Sequence, residues 1–558
     1  MRNIIVVDAI STGYNYVEDI VRRGYQPVVL NSKQSEEGIV GALADYVVYA
    51  HKPLVIKELE SYEETLKMVK GYDPVLVLPG SEGGVELATR LAEDLNLPGN
   101  PTEYLDAMTL KAAMQEALKK AGIRYILGEK VHTPEEAVAF CEKNGLSCAV
   151  VKPMQSAGSQ GLFLCNTVEE VRDAVAKLLT MEDFYGRPIT EALVQERIFG
   201  TEYIVNTISR EGKHRLNTIL RYKKEATPEG GYIYDYVEFV TKLEAGHNEL
   251  VRYALQVADA IHYQNGVIHG EYMLDSKGPV LIEVNCRPMG ASMPAEYLDI
   301  ISGQHETDAV LDALLDPVKF EREAAKPYGL KRKAYLKVIM VPQDIEAEDY
   351  PVWEVAKQLR STYQVSAANG SITEFVKTRD LETNGGIIYL VHDDEKVLEA
   401  DLQLLRDIEK NTFKLLLNDG MSRKWFTDAE EAEDDFGRIL KECDCHGTTL
   451  IAGDHKAEIE NVQCVTADSL QDATRGFDNV IIAYRKTLTG MKESACLKLI
   501  FDTMDLVKPG GRVIIPDSTY NYLSYQEKGA EELMLIKGLT IRDCDMSSRN
   551  YVIGIRES

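Results

Sequence analysis

The chain has 558 residues, enough for roughly three to four domains, and its 45% apolar content suits a globular protein with sizeable cores. A formal net charge of −27 argues against nucleic acid or an anionic membrane surface as a general partner, because both reward basic patches. No run of about 18 apolar residues offers a membrane span, and nine scattered cysteines suit a reducing, cytoplasmic setting.

Residues 1 to about 105 alternate strands and helices. The start, Met1-Arg-Asn-Ile-Ile-Val-Val-Asp8, reads as a buried strand over Ile4–Asp8 rather than a secretory signal. Helix Tyr16–Gly24, strand Pro27–Leu30, helix Glu60–Lys70, strand Pro74–Leu78 and the amphipathic Val85–Leu95 follow, a βαβ pattern with a parallel sheet. The loop Pro79-Gly-Ser-Glu82-Gly-Gly84 lies at a strand's carboxyl end, where open α/β sheets bind ligands. Its glycines and Glu82 are either substrate contacts or a tight turn.

Helices are expected at Leu110–Ala121 and Pro134–Asn144, then a strand at Ser147–Lys152. Next come Pro153-Met-Gln-Ser156-Ala-Gly158-Ser159-Gln-Gly161 and a second strand, Leu162–Cys165. This loop lacks the Gly-Lys-Ser/Thr of a Walker loop and has no helix directly after it. A hairpin tip of small residues can still lay backbone N–H groups against phosphates, and Lys152 adds charge at its base. Further strands run through Ala192–Ile208 and Lys213–Lys224. Residues 225–236 read as a turn-rich substrate loop with three tyrosines, and His247–Asn265 as a helix.

Two apolar runs then form a hairpin: Gly266-Val-Ile-His269-Gly-Glu271-Tyr-Met-Leu and Gly278-Pro-Val-Leu-Ile-Glu283-Val-Asn285, joined by the turn Asp275-Ser-Lys-Gly278. Alternation along a strand puts Glu283 and Asn285 on one face, and Glu271 and His269 can share it. Two carboxylates and an amide oxygen suit a hard cation such as Mg²⁺, and Arg287 just beyond suits an anion held by that metal. The other reading is an ordinary hairpin with polar outer residues. Residues 330–413 carry more strand and helix, and the acidic stretch Asp428–Asp435 marks a boundary. Beyond it are strands at Thr448–Ala452, Val462–Val465, Asn479–Ala483 and Arg512–Ile515, then an antiparallel pair, Leu539–Asp545 and Asn550–Ile555. Cys443-Asp-Cys445-His446 is too small a cluster to complete four zinc ligands.

Taken in order, these pieces over about residues 1–410 resemble the ATP-grasp superfamily, within it the carboxylate–amine ligases of the L-amino-acid ligase kind. The resemblance implies an N-terminal parallel α/β domain over 1–105, a small lobe over 106–190 and a large lobe with its extension over 191–427, the lobes sandwiching ATP. It implies Lys111 and Lys152 as nucleotide lysines and Ser156, Gly158, Ser159 and Gly161 in a mobile loop over the phosphates. It places adenine at the hinge Gln195-Glu196-Arg197-Ile198 and ribose at Glu202 of Gly-Thr-Glu-Tyr. Glu271, Glu283 and Asn285 match Mg²⁺ ligands (Mn²⁺ as substitute), and Arg287 matches an arginine on the transferred phosphate. Glu82, His269 and Arg287 are the substrate-binding candidates, with Arg287 and Lys152 catalytic; for His269 a packed or supporting position is the competing reading. Gln160, where charge is common, and Asn285-Cys286, where Gly-Ala is common, depart from the pattern.

The implied reaction is activation of a carboxylate, expected to be an amino acid, as an acylphosphate and its capture by an amine, with ADP and phosphate released. Its partners are then a small-molecule acid and amine, with a homodimer as the assembly suggested by resemblance. A carboxylase using bicarbonate, a nucleotide-binding regulator and a bifunctional ligase–methyltransferase are the alternatives. Residues 436–558 resemble a class I methyltransferase domain of Rossmann-like α/β type, carried by Leu506-Val-Lys-Pro-Gly-Gly-Arg-Val-Ile-Ile515 and the closing strand pair. Where that fold needs a glycine-rich loop, the chain has Ile451-Ala-Gly-Asp-His-Lys-Ala-Glu458, so a degenerate, inactive domain is expected.

Overall fold

The computed structural model describes residues 2–36, 49, 51–154, 161–182, 187–226, 232–346, 350, 352–366, 374–379, 383–410, 436–454, 459, 461–484, 487–488, 491, 493–516, 530–541 and 551–557. Ser156, Gly158 and Ser159, the boundary at 428–435 and residues 455–458 lie outside them. The chain divides into two compact units, Met1–Tyr335 with Arg379–Glu382, and Leu336–Thr378 with Thr383–Ser558. No described helix is long and apolar enough to cross a membrane.

The first unit opens with strands β1 (Asn3–Val7), β2 (Gln26–Asn31), β3 (Leu54–Lys57) and β4 (Pro74–Pro79), all parallel in the order β3-β2-β1-β4. Helices α1 (Asn15–Arg22), α2 (Tyr62–Gly71) and α3 (Val85–Asp94) cover it. Alternation decides which face each side chain serves. Ile4 and Val6 pack with Tyr16, Val17 and Ile20 of α1, while Ile5 and Val7 pack with Val69 of α2 and Leu87 and Leu91 of α3. The short edge strand β3 is an addition to the elements expected from sequence.

Helices α4 (Leu105–Thr109) and α5 (Lys111–Lys120) lead to a second, four-stranded antiparallel sheet. Its strands are β5 (Gly128–Val131), β6 (Ala149–Pro153), β7 (Phe163–Cys165) and β8 (Ala192–Glu196), in the order β5-β8-β6-β7. β8 begins beyond residue 190, the expected lobe boundary, yet pairs within this sheet. One face is filled by α6 (Pro134–Asn144) and α7 (Val168–Leu178). α6 starts as its sequence predicts, with Thr133 accepting from Glu136 N–H and proline in the first turn, and ends on left-handed Gly145. α7, absent from the sequence reading, has the same Thr cap, Thr167 on Glu170.

The third sheet holds Glu202, His269, Glu271, Glu283 and Asn285. Strands β9 (Thr201–Arg210), β10 (Lys213–Ala226), β11 (Tyr232–Phe239), β12 (Gly266–Asp275) and β13 (Gly278–Asn285) form an antiparallel run in the order β13-β12-β9-β10-β11. Of the turn-rich loop expected over 225–236, residues 225–226 and 232–236 belong instead to two paired strands, Lys224–Ala226 pairing with Tyr232–Tyr234, and residues 227–231 lie outside the described residues. Helix α8 (Ala245–Ala260) backs the sheet and stops before the expected Asn265, because His262 adopts a left-handed φ of +56°. Helices α9 (Ala295–Ser302) and α10 (Glu306–Leu315) follow.

Register shifts in β13. Glu271 faces Glu283, but Tyr272 faces Leu281, which leaves Ile282 as an extra residue. Leu281 and Val284 therefore both enter the core with Tyr272, although they are three apart, while Glu283 faces away.

In the second unit, strands β14 (Thr362–Ser366) and β15 (Ile387–Val391) pair antiparallel. After them comes a six-stranded sheet of β16 (Thr449–Gly453), β17 (Val462–Val465), β18 (Phe477–Ala483), β19 (Val507–Pro516), β20 (Leu539–Ile541) and β21 (Tyr551–Arg556). Its order is β17-β16-β18-β19-β21-β20; the first four are parallel and β21 runs antiparallel to both neighbours.

His305, capping α10, ties this helix to α1. Its Nε2 lies 2.9 Å from Asp19 Oδ2 and its Nδ1 2.9 Å from Asp299 Oδ1, and Thr307 donates to Asp19 as well. Burial alone would depress the imidazolium, but the two carboxylates overcome it and raise its pKa to about 10. A folded pKa above the unfolded 6.5 gives stability that is full below the unfolded value and lost as pH climbs through the folded one. The urea midpoint of the wild type should therefore fall between neutrality and pH 10 more steeply than that of His305→Gln; parallel curves would contradict the assignment.

Candidate active site

A row of polar residues crosses four strands of the third sheet. Thr218 of β10 lies opposite Asn206 of β9, Asn206 opposite His269 of β12, and His269 opposite Asn285 of β13. Asn206 is fully buried; its amide nitrogen donates to Thr218 Oγ1 at 2.9 Å and to Glu306, and its oxygen meets His269 Nδ1 at 2.9 Å. His269 Nε2 lies 3.7 Å from Glu271 Oε1. Asn285 gives its nitrogen to His269 O at 3.5 Å, which leaves its oxygen as a donor atom. One row further, Glu271 and Glu283 stand directly opposite each other.

Cations gather against these carboxylates. Lys111, first residue of α5, places Nζ 2.9 Å from Glu283 Oε2. A lysine at a helix N-terminus is opposed by the macrodipole, so the carboxylate is what holds it there. Burial would raise Glu283, yet Lys111, Lys152 and Arg287 outweigh it and bring its pKa to about 2. Lys152, at the end of β6 and 6% exposed, is lowered to about 8 by burial and then by Lys111, with Glu283, Glu271 and Glu202 opposing. Glu202 receives both oxygens' contacts from Lys224 Nζ at 2.8 and 2.9 Å. Burial raises the Glu202 carboxyl against that lysine. Lys224 is shifted upward, because Tyr234, Glu202 and Glu271 exceed its own burial, and its ammonium lies 4.4 Å from the Tyr234 ring centre.

Arg287 leaves β13 and puts Nε 3.3 Å from Glu82 Oε2. Burial raises Glu82, with Arg287 as the main opposing charge. The glycines beside Glu82 serve packing: a Cβ on Gly80 would sit 2.6 Å from Asp8 O, and one on Gly84 2.5 Å from Val7 O. The turn after Arg287 is held by the loop after β1, Thr12 donating to Gly290 O at 3.0 Å and Asn15 to Met293 O at 2.9 Å. Glu306 accepts from Met289 N–H at 2.8 Å.

The structure thus brings Glu82, Lys111, Lys152, His269, Glu271, Glu283, Asn285 and Arg287 into one mutually interacting group, with Glu202 at its edge. Glu196 stands apart: its N–H and a carboxylate oxygen are both used by Leu127, at 2.8 and 2.9 Å. Ile198 is half-buried just past β8. Gly161, at φ +68°, follows the undescribed loop residues, and a Cβ there would meet Leu178 and Pro153 at 2.9 and 3.0 Å. Sequence reasoning missed Asn206, Lys224 and Glu306. Asn206 did leave a signal, a polar residue inside the apolar run Tyr203-Ile-Val-Asn-Thr-Ile208.

The donor set fits a divalent cation of the hard class. Among the described residues no three His, Cys, Asp or Glu side chains converge on a metal position. Such an ion would therefore rest on Glu271, Glu283 and the Asn285 oxygen, and take its remaining ligands from phosphate and water, as Mg²⁺ commonly does.

Residues 147–296, from just before β6 to just inside α9, match the family described as "ATP-grasp domain". That stretch therefore has the sequence pattern of an ATP-grasp domain. Over 423 residues it is 28% identical to dapdiamide A synthase of Enterobacter agglomerans, covering 75% of this chain and 98% of that protein. The L-amino acid ligase from Bacillus licheniformis superposes with a TM-score of 0.56 at 19% identity, over 73% of this chain and 97% of that one. A carboxyaminoimidazole ribonucleotide synthase from Aspergillus clavatus, complexed with ATP, gives 0.54 at 16% identity, over 74% of this chain and 98% of that one. About three quarters of the chain thus has the ATP-grasp fold.

Lys111 tunes its neighbours through charge, which gives a direct test. In Lys111→Met the Glu283 carboxyl should rise from about 2, and Lys152, freed of a like charge, should rise from about 8. NMR of ¹³C-dimethylated lysines, with Lys152→Arg assigning the signal, measures the second shift; a downward shift would contradict this charge arrangement.

Proposed function

We propose that this protein is an ATP-dependent carbon–nitrogen ligase that activates a carboxylate as an acylphosphate and joins it to an amine, releasing ADP and phosphate. The observation that carries it is the joint burial of Lys111, Lys152 and Arg287 against Glu271 and Glu283 on one sheet. That arrangement suits a polyphosphate beside an acyl group. The similarity to dapdiamide A synthase over nearly all of that protein supports the same reading.

Lys111 and Lys152 would bind the nucleotide phosphates, Glu202 the ribose, and the Glu196–Ile198 segment the adenine. Glu271, Glu283 and Asn285 would hold Mg²⁺, or Mn²⁺, which when bound neutralises charge on the β- and γ-phosphates. A carboxylate oxygen of the acid attacks the γ-phosphorus, and the bond to the departing ADP oxygen breaks. The amine nitrogen then attacks the acyl carbon. The C–O bond breaks with its electron pair leaving on phosphate, and the amine proton passes to solvent. Arg287 supplies planar, charged donors to the oxyanion of that step. Glu82 and His269 line the acyl and amine side. The loop at 156–161 would exclude water, which otherwise hydrolyses the acylphosphate.

Residues 436–558 read best as a methyltransferase-type domain without activity. A parallel set of strands with an antiparallel strand inserted next to last supports that fold, and the single glycine in Ile451–Glu458 speaks against S-adenosylmethionine binding.

ADP release should depend on two components, an acid and an amine drawn from an amino-acid panel, with the amide seen by mass spectrometry. AMP as product, or dependence on bicarbonate alone, would defeat the ligase reading. Glu283→Ala and Arg287→Ala should each lower kcat by at least about 10²-fold while remaining folded. Lys152 contributes a proton signature. Its ammonium is half lost near pH 8 in the free protein, and a bound polyphosphate favours the charged form. ATP binding at pH 8.5 should therefore take up protons, measured calorimetrically in buffers of differing ionisation enthalpy, and Lys152→Met should abolish the uptake.

A further inference from the structure

Glu306 is a carboxylate where the fold has no evident need of one. It is 3% exposed, begins α10, and is surrounded by residues of the third sheet and of the turn after Arg287. Burial raises its pKa, with the Met289 N–H, His269 and Arg287 opposing. Placing a carboxyl so deep is costly unless each oxygen is used, and both are. Oε2 accepts the Met289 N–H at 2.8 Å, two residues past Arg287. Oε1 accepts from Asn206 Nδ2.

Asn206 fixes what lies beyond it. Its two amide protons go to Glu306 and Thr218, so the side facing His269 Nδ1 at 2.9 Å is its oxygen. Thus the imidazole donates from Nδ1, and its other nitrogen lies on the side of Glu271. One carboxylate therefore holds two parts of the site that belong to different segments, the turn presenting Arg287 and the ring of His269. The helix it starts is itself anchored, since neighbouring His305 is locked to Asp19 and Asp299.

We infer that Glu306, acting through Met289 N–H and Asn206, is a positioning residue that keeps Arg287 and His269 in register for amide formation. This rests on the ligase reading above. Misplacing a catalytic group by an ångström costs on the order of 10²-fold in rate, and loss of register has a particular consequence here. The acylphosphate still forms, but its capture by the amine slows and water competes.

The test uses the full chain with an acid–amine pair that the wild type couples. Glu306→Gln keeps shape but offers one acceptor to two donors. It should lower kcat for amide formation about 10- to 100-fold, leave KM for ATP within about twofold, and raise the ratio of ADP to amide well above one. Asn206→Ser cuts the link to His269 while leaving the Met289 bond. It should raise the same ratio, and its effect should not add to that of Glu306→Gln. It also serves as the reporter should Glu306→Gln be insoluble. A folded Glu306→Gln, or failing that Asn206→Ser, with wild-type kcat and an ADP-to-amide ratio of one would overturn the inference. So would a rate loss that merely follows a lowered Tm with the ratio unchanged. Failure of the wild type to couple ADP release to any acid–amine pair would instead overturn the ligase reading.

Discussion

The ion pair between Lys111 and Glu283 is the constraint on which the site depends. Four carboxylates, Glu82, Glu202, Glu271 and Glu283, and four cations, Lys111, Lys152, Lys224 and Arg287, interact within one partly dehydrated region. None of these charges is inexpensive to bury alone. Lys111 brings a helix terminus onto β13, holds Glu283 ionised and adds to the burial that depresses Lys152. Lys152 is left with its ammonium depressed by burial, a state that a polyanion beside it would reverse.

The turn after Arg287 shows how the first sheet contributes. Ala291 and Ser292 adopt φ of +68° and +48°, an unfavourable backbone for residues with a Cβ. Such a conformation persists where its surroundings over-determine it. Here Thr12 both donates to Gly290 O and accepts from Met293 N–H, Asn15 donates to Met293 O, and Ser11 accepts from Ser292 N–H. The parallel α/β sheet thus shapes an arginine carried by an antiparallel one.

Much of this was legible in the sequence, and what was not has physical causes. The hairpin at 266–285 stood out because its polar residues interrupt apolar runs with period two, and Pro134–Asn144 because its cap, proline and closing glycine all agree. The strand at Tyr232–Phe239 was hidden by the Thr227-Pro-Glu-Gly-Gly231 composition ahead of it, although Tyr232, Tyr234 and Tyr236 alternate as a strand requires. Glu306 could not be found, since an acidic residue at a helix start is ordinary, and its partners Asn206 and Met289 are joined to it only by the fold. The use of the Glu196 N–H and one of its carboxylate oxygens by Leu127 is likewise tertiary, since the two lie on different segments.

The extra residue at Ile282 bears on how this site tolerates change. Before it, Leu281 belongs to the core; after it, Val284 does, and Glu283 is turned the other way. The strand thus changes phase within one residue. Substitutions around it alter one side chain at a time. Loss of Ile282 itself would leave Glu283 opposite Glu271 and Leu281 opposite Tyr272, in plain alternation with Leu281 and Val284 inside and Glu283 outside. The pairing of Glu271 with Glu283, and not the number of residues between Leu281 and Glu283, is therefore what fixes this edge of the site.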